Sequence, residues 1–124
     1  MERIRHTLLG RIAGASTSRH LTIHAGPEDW QPFIDGIAFK LLRQDAGTLS
    51  YLLRFAPGAR LPGHRHPQDE ECIVMQGELQ IGELKVAAGS YHLARAGELH
   101  ADISAPGGAM IFLRGACPEI SHEI

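Results

Sequence analysis

A chain of 124 residues and 13.5 kDa is long enough for one hydrophobic core and too short for two. Its 12 Lys and Arg against 14 Asp and Glu leave a formal net charge of −2, without the basic field that binds nucleic acid or an anionic membrane surface. No apolar run approaches the ~20 residues of a transmembrane helix and no signal-peptide core opens the chain, so a cytoplasmic protein with neither nucleic-acid nor membrane partners is expected.

Residues 1–20 form an N-terminal extension distinct from the rest of the chain. Ile4, Leu8 and Ile12 recur every four residues among Arg3, Arg5 and Arg11, a short amphipathic helical pattern, and residues 14–18 read as a Gly/Ser-rich connector. A lone helix of this length is marginal in water, so it packs on the domain or on a dimer mate, or it frays. From residue 21 to 118 the apolar period changes to two. Strands are predicted over 21–24, 37–43, 48–55, 70–76, 78–81, 84–86, 91–94, 100–104 and 110–114, with 119–124 left as a tail. Trp30, Phe33 and Ile34 fall in an irregular stretch, where Trp30 is expected to plug one end of the core. The 14 Gly and 7 Pro supply a turn every few residues, and nine or ten short strands punctuated in this way indicate an all-β sandwich or barrel.

The chemistry gathers between Gly58 and Gly77. His64 and His66 stand two apart, so on an extended chain their imidazoles share a face. After a turn at residues 67–69, Glu70 opens an apolar strand. Two imidazoles and a carboxylate on a stiff scaffold suit a divalent first-row metal. The pair alone is weak, since 8 His in 124 residues supply about half of one His-x-His by chance. Cys72 and Cys117 make neither a CxxC nor a zinc-finger spacing and are read as reduced thiols. His100 follows a glycine turn at the start of a later strand and is a fourth ligand candidate.

Around these residues the chain resembles the cupin superfamily. The first cupin motif, G-x5-H-x-H-x3/4-E-x6-G, is matched by Gly58, His64, His66, Glu70 and Gly77. The second, G-x5-P-x-G-x2-H-x3-N, is matched by Gly89, Gly97 and His100, with Arg95 in place of the proline and Ser104 in place of the asparagine. The run from Leu53 to Pro67, with Glu70, Glu71 and 74–77, is similar to the ChrR-type cupins, the sensor domains of zinc-containing anti-sigma factors and their stand-alone relatives, over roughly residues 24–115. The resemblance implies a double-stranded β-helix, a jelly-roll-like barrel. Its metal ligands would be His64, His66, Glu70 and His100, with one or two coordination positions left open. Zn, Fe(II), Mn, Ni and Co all suit such a set. The separate helical domain that binds the sigma factor in ChrR-type regulators has no counterpart in the roughly twenty residues before the barrel, so anti-sigma activity is not implied.

Glu70 is preferred over Glu71 because it keeps the motif's distance to Gly77 and shares its strand face with Cys72 and Val74. Glu71 shares a face with Ile73 and Met75, towards solvent, a second sheet or a subunit contact. Asp102, two after His100, is a candidate acceptor for a ligand imidazole. His92 is read as a surface or hydrogen-bonded histidine, and His6, His20, His24 and His122 as solvent-facing. Cys72 is a small buried hydrophobe by default, and Arg95 sits in a turn from which it could reach a pocket mouth. Two functions are compatible with this set: a small metal-dependent dioxygenase acting on a compact chelating molecule, or a non-catalytic zinc-binding sensor module. A homodimer is expected in either case, because an exposed sheet edge needs cover.

Overall fold

The computed structural model describes residues 19–116. The amphipathic pattern at 4–12, Cys117 and the tail at 119–124 lie outside the described residues. Within them run nine strands: β1 (Gln31–Ile34), β2 (Ile37–Asp45), β3 (Thr48–Phe55), β4 (Ala59–Leu61), β5 (Glu70–Ile81), β6 (Leu84–Ala87), β7 (Tyr91–Ala94), β8 (Ile103–Ala105) and β9 (Ala109–Gly115). They pair antiparallel in the order β1-β2-β3-β9-β5-β8-β4, with β6 and β7 also on β5, and wrap into a nearly closed barrel. No helix among the described residues is long and apolar enough to cross a membrane.

Alternation along the strands builds the core. In β3, Leu49, Tyr51, Leu53 and Phe55 are buried, while Ser50, Leu52 and Arg54 point to the outer face. Phe39 and Leu41 of β2, Val74 and Leu79 of β5, and Ile111 and Leu113 of β9 complete the interior. Each such side chain contributes about 1.5–3 kcal/mol through burial.

β5 differs from the two predicted strands broken at Gly77. It is one strand of 12 residues, because Gly77 is a bend rather than an end. Its φ of 76° suits glycine, and a Cβ there would collide with the carbonyl oxygen of Gly108. The register also slips between Val74 and Gln76, as at a β-bulge. Before the bend β5 pairs with β9 and β7, and after it with β6 and β8. One strand therefore serves both sides of the barrel, and Glu70 is its first residue.

Three other expectations change. β1 and β4 are strands that the irregular composition of their segments hides, and Pro32 is tolerated in β1 because that strand lies on the sheet edge. Residues 21–24 make only a single bridge, at Leu21. The carbonyl of His24 instead accepts a hydrogen bond from Lys40 Nζ at 3.0 Å, strapping the segment to the sheet's outer face. Trp30 lies on that outer face rather than over a core end, with the Arg54 guanidinium 4.2 Å and the Lys40 ammonium 5.9 Å from its ring centre.

Candidate metal centre

His64 and His66 do not sit on a regular strand. They occupy an extended segment tied to the stretch that precedes His100. The amide of His100 donates to the carbonyl of His64 (2.8 Å), the amide of Gly97 donates to that of His66 (2.9 Å), and Arg65 bridges Leu99 between them. This short antiparallel pairing turns Arg65 outward, where its guanidinium donates to the Gly97 carbonyl at 2.8 Å. Gly63 is required just before it, since any Cβ would run into the carbonyl oxygen of His100. The two motifs are thus joined backbone to backbone.

The joint gathers the imidazoles. Ring centres of His64 and His66 are 4.5 Å apart, those of His66 and His100 5.6 Å, and those of His64 and His100 6.2 Å. His64 Nδ1 lies 2.8 Å from the carbonyl oxygen of Pro62, and His100 Nδ1 lies 2.8 Å from that of Ala101. A carbonyl only accepts, so each Nδ1 carries a proton, and the neutral ring then keeps its lone pair on Nε2, the tautomer a metal needs. Glu70 reaches the same cluster: its Oε1 is 3.6 Å from His66 Nε2, and its Oε2 accepts a hydrogen bond from the Tyr51 hydroxyl at 2.8 Å.

Burial sets the electrostatics. His66 is 8% exposed, and its Nε2 has no hydrogen-bond partner. Desolvation, followed by electrostatic repulsion from the neighbouring His64 and His100 rings, pulls its pKa down to about 4, so it is a neutral donor at physiological pH. Glu70 is pushed above the usual carboxylate range by burial, against which the Tyr51 hydrogen bond and nearby His64 act. An orphaned, neutral, buried imidazole nitrogen facing a carboxylate, with two further imidazoles of fixed tautomer, is a donor set that fits a divalent cation. As the side chains stand, no group of three or more His, Cys, Asp or Glu among the described residues meets the geometry of a metal site. The four are neighbours, not a closed shell.

The surroundings hold three residues that the sequence alone places elsewhere or does not single out. His92, expected as a surface or hydrogen-bonded histidine, is half-buried and sits on the barrel's inner face. It pairs with Cys72 across β7 and β5, on the same interior face as Glu70, and its ring centre is 5.5 Å from that of His100. Burial, then His100, lowers its pKa. With Ile81, Leu93, Arg95, Leu99 and His100 it lines an open hollow of about 300 Å³. Asp102 accepts from the Gly63 amide at 2.7 Å and pairs with Arg60 at 3.3 Å, so it braces the backbone ahead of His64 while backbone carbonyls hold the imidazoles. Tyr51 is not singled out within the predicted strand 48–55, and only the folded register shows its hydroxyl on Glu70. Cys72 is buried, its thiol pushed up to about 12 by burial and by Glu70. Glu71 is exposed and accepts from the Tyr91 hydroxyl at 2.9 Å.

A nearly closed antiparallel barrel whose two His-bearing motifs meet inside defines the cupin fold. The chain belongs to the ChrR cupin-like family, matching the ChrR Cupin-like domain over residues 18–116. Solved structures agree on the fold. An acetylacetone dioxygenase from Acinetobacter johnsonii superposes with a TM-score of 0.72 at 16% identity, covering 83% of this chain and 78% of that one. The anti-sigma factor ChrR of Rhodobacter sphaeroides, in complex with SigE, gives 0.63 at 20% identity, over 69% of this chain and 47% of that one. KdgF from a Halomonas species gives 0.64 at 22% identity, over 74% and 89%. A search of curated proteins finds no match.

Proposed function

We propose that this chain is a metal-binding cupin in which His64, His66, His100 and Glu70 hold one divalent ion, and that it acts as a small metal-dependent dioxygenase or related oxidoreductase on a compact chelating molecule such as a diketone. The observation that carries this reading is the buried, partnerless Nε2 of His66, beside Glu70 Oε1 and two imidazoles whose Nδ1 protons are already engaged. A bound divalent metal would supply Lewis acidity and a meeting point for substrate oxygen atoms. The chain supplies the rest. Three imidazoles and one carboxylate leave room for further ligands, and the hollow beside His100 is large enough to orient a small substrate between His92 and Leu99. The fold-level likeness to an acetylacetone dioxygenase is an analogy that supports this choice of substrate class.

A second reading, a non-catalytic zinc-binding sensor module, is supported by the ChrR Cupin-like match itself. One experiment separates the two. Protein purified without added metal is compared with its His64→Ala/His66→Ala variant by elemental analysis, and the Fe(II)-loaded protein is offered a panel of β-diketones while dissolved oxygen is recorded. Iron or manganese near one per chain with oxygen uptake supports the enzyme. Tightly held zinc without uptake supports the sensor, and equal metal content in the variant refutes both. We also propose a homodimer, supported by Ile73 and Met75, 41% and 47% exposed on the outer face of β5. A solution mass near 13.5 kDa by light scattering would overturn it.

A further inference from the structure

Glu70 is held from a distance. It begins β5, yet the group that reaches its carboxylate comes from β3, two strands away across β9. Tyr51 pairs with Leu113 and Leu113 with Cys72, a buried row across three strands. The phenol ring stacks on Phe39 with centres 5.1 Å apart, so the hydroxyl stands on a ring that packing fixes. The stem of Glu70 is confined as well, for a Cβ at Gly115 would come within 3.1 Å of its Cβ and Cγ. With Oε2 engaged at 2.8 Å, the oxygen left facing the orphaned His66 Nε2 is Oε1.

We propose that Tyr51 is a positioning residue of the metal centre, whose hydroxyl occupies Oε2 of Glu70 and so makes Glu70 a one-oxygen ligand that leaves a coordination position open. The inference rests on the metal-centre reading above. A carboxylate free at both oxygens can chelate a cation and consume a further position. Outer partners that orient a ligand set metal affinity without touching the metal.

The test uses the full chain and four proteins: wild type, Tyr51→Phe, Glu70→Gln and the double variant, each checked by circular dichroism and thermal melting. Cobalt(II) and zinc(II) are titrated against a chelator of known affinity, and the cobalt d–d absorption reports coordination number. Tyr51→Phe is expected to fold, to bind about 10- to 100-fold more weakly, and to shift the cobalt band in energy and intensity. In the Glu70→Gln background the same substitution is expected to change affinity less than about twofold, because the effect runs through the carboxylate. Wild-type affinity and an unchanged band in Tyr51→Phe would overturn the proposal, as would an equal loss in the Glu70→Gln background. Should Glu70→Gln abolish binding outright, the cobalt band of Tyr51→Phe decides alone. Failure of the wild type to bind either metal would instead refute the metal centre itself.

Discussion

Replacing His66 with leucine is expected to make the metal-free protein more stable, and increasingly so towards acid. The imidazole is 8% exposed with an unpartnered Nε2, and a buried polar atom without a hydrogen bond costs about 1–3 kcal/mol. Leucine is of similar size and removes it. The pH dependence follows from the proton. In the folded chain His66 takes a proton only near pH 4, whereas in the unfolded chain it does so near 6.5. Between those values the unfolded state binds more protons, so stability falls as the pH is lowered through that window. From pH 7.5 to pH 5 this amounts to about 2 kcal/mol, which the leucine variant does not lose. Glu70 titrates with the opposite sign, because burial raises its pKa. Because it faces His66 across 3.6 Å, the comparison is repeated in a Glu70→Gln background, which removes its titration from both proteins. Urea unfolding in the presence of a chelator, followed by circular dichroism at pH 7.5 and pH 5, reads the effect. The variant should exceed wild type by about 1–3 kcal/mol at the higher pH and by about 2 kcal/mol more at the lower. An equal gap at both values, or a variant less stable than wild type at both, would refute the reasoning.

Gly63→Ala places a Cβ against the His100 carbonyl and should force the two His segments apart. A loss of about 1–3 kcal/mol in the same unfolding assay is expected, and an unchanged midpoint would show that the joint is not tight. Cys72, buried with its thiol pushed up to about 12, should resist iodoacetamide at pH 8 in the native protein and react once urea is added. Peptide mapping separates it from Cys117, and native labelling of the Cys72 peptide would contradict its burial.

Features legible in the sequence obey local rules, and those that are not depend on register. The period-two pattern of 48–55 needs no partner to be recognised, and β3 has those bounds. Gly77 reads as a strand end because a glycine between apolar runs looks the same whether the chain reverses or bends. Only the approach of the Gly108 carbonyl distinguishes the two. At the site, the spacing of His64, His66 and Glu70 singles out residues that the fold brings together with His100. His92 escapes notice because its interior position comes from pairing opposite Cys72, a register that no residue of β7 announces. Parity puts Asp102 on the face of His100, but parity holds only on a strand. Residues 100–102 are irregular, which lets the carboxylate turn to the Gly63 amide. The Tyr51 hydroxyl likewise finds Glu70 through two strand pairings.

The hydrogen bonds from Gly97 to His66 and from His100 to His64 have a topological consequence. They tie residues 67–96, which contain β5, β6 and β7, into a loop closed at its neck, and the imidazoles belong to the neck. The turn at Gly82-Glu83 is stitched back towards that neck, because the Gly82 amide donates to the Asp102 carbonyl at 3.2 Å and Asp102 in turn accepts from the Gly63 amide at 2.7 Å. Lengthening that turn would therefore cost more than closure entropy, which is about 0.6 kcal/mol for each doubling of a flexible loop, because the bond from Gly82 to Asp102 would be disturbed as well. One residue added between Gly63 and His66 or between Gly97 and His100 would slip the knot and scatter the cluster.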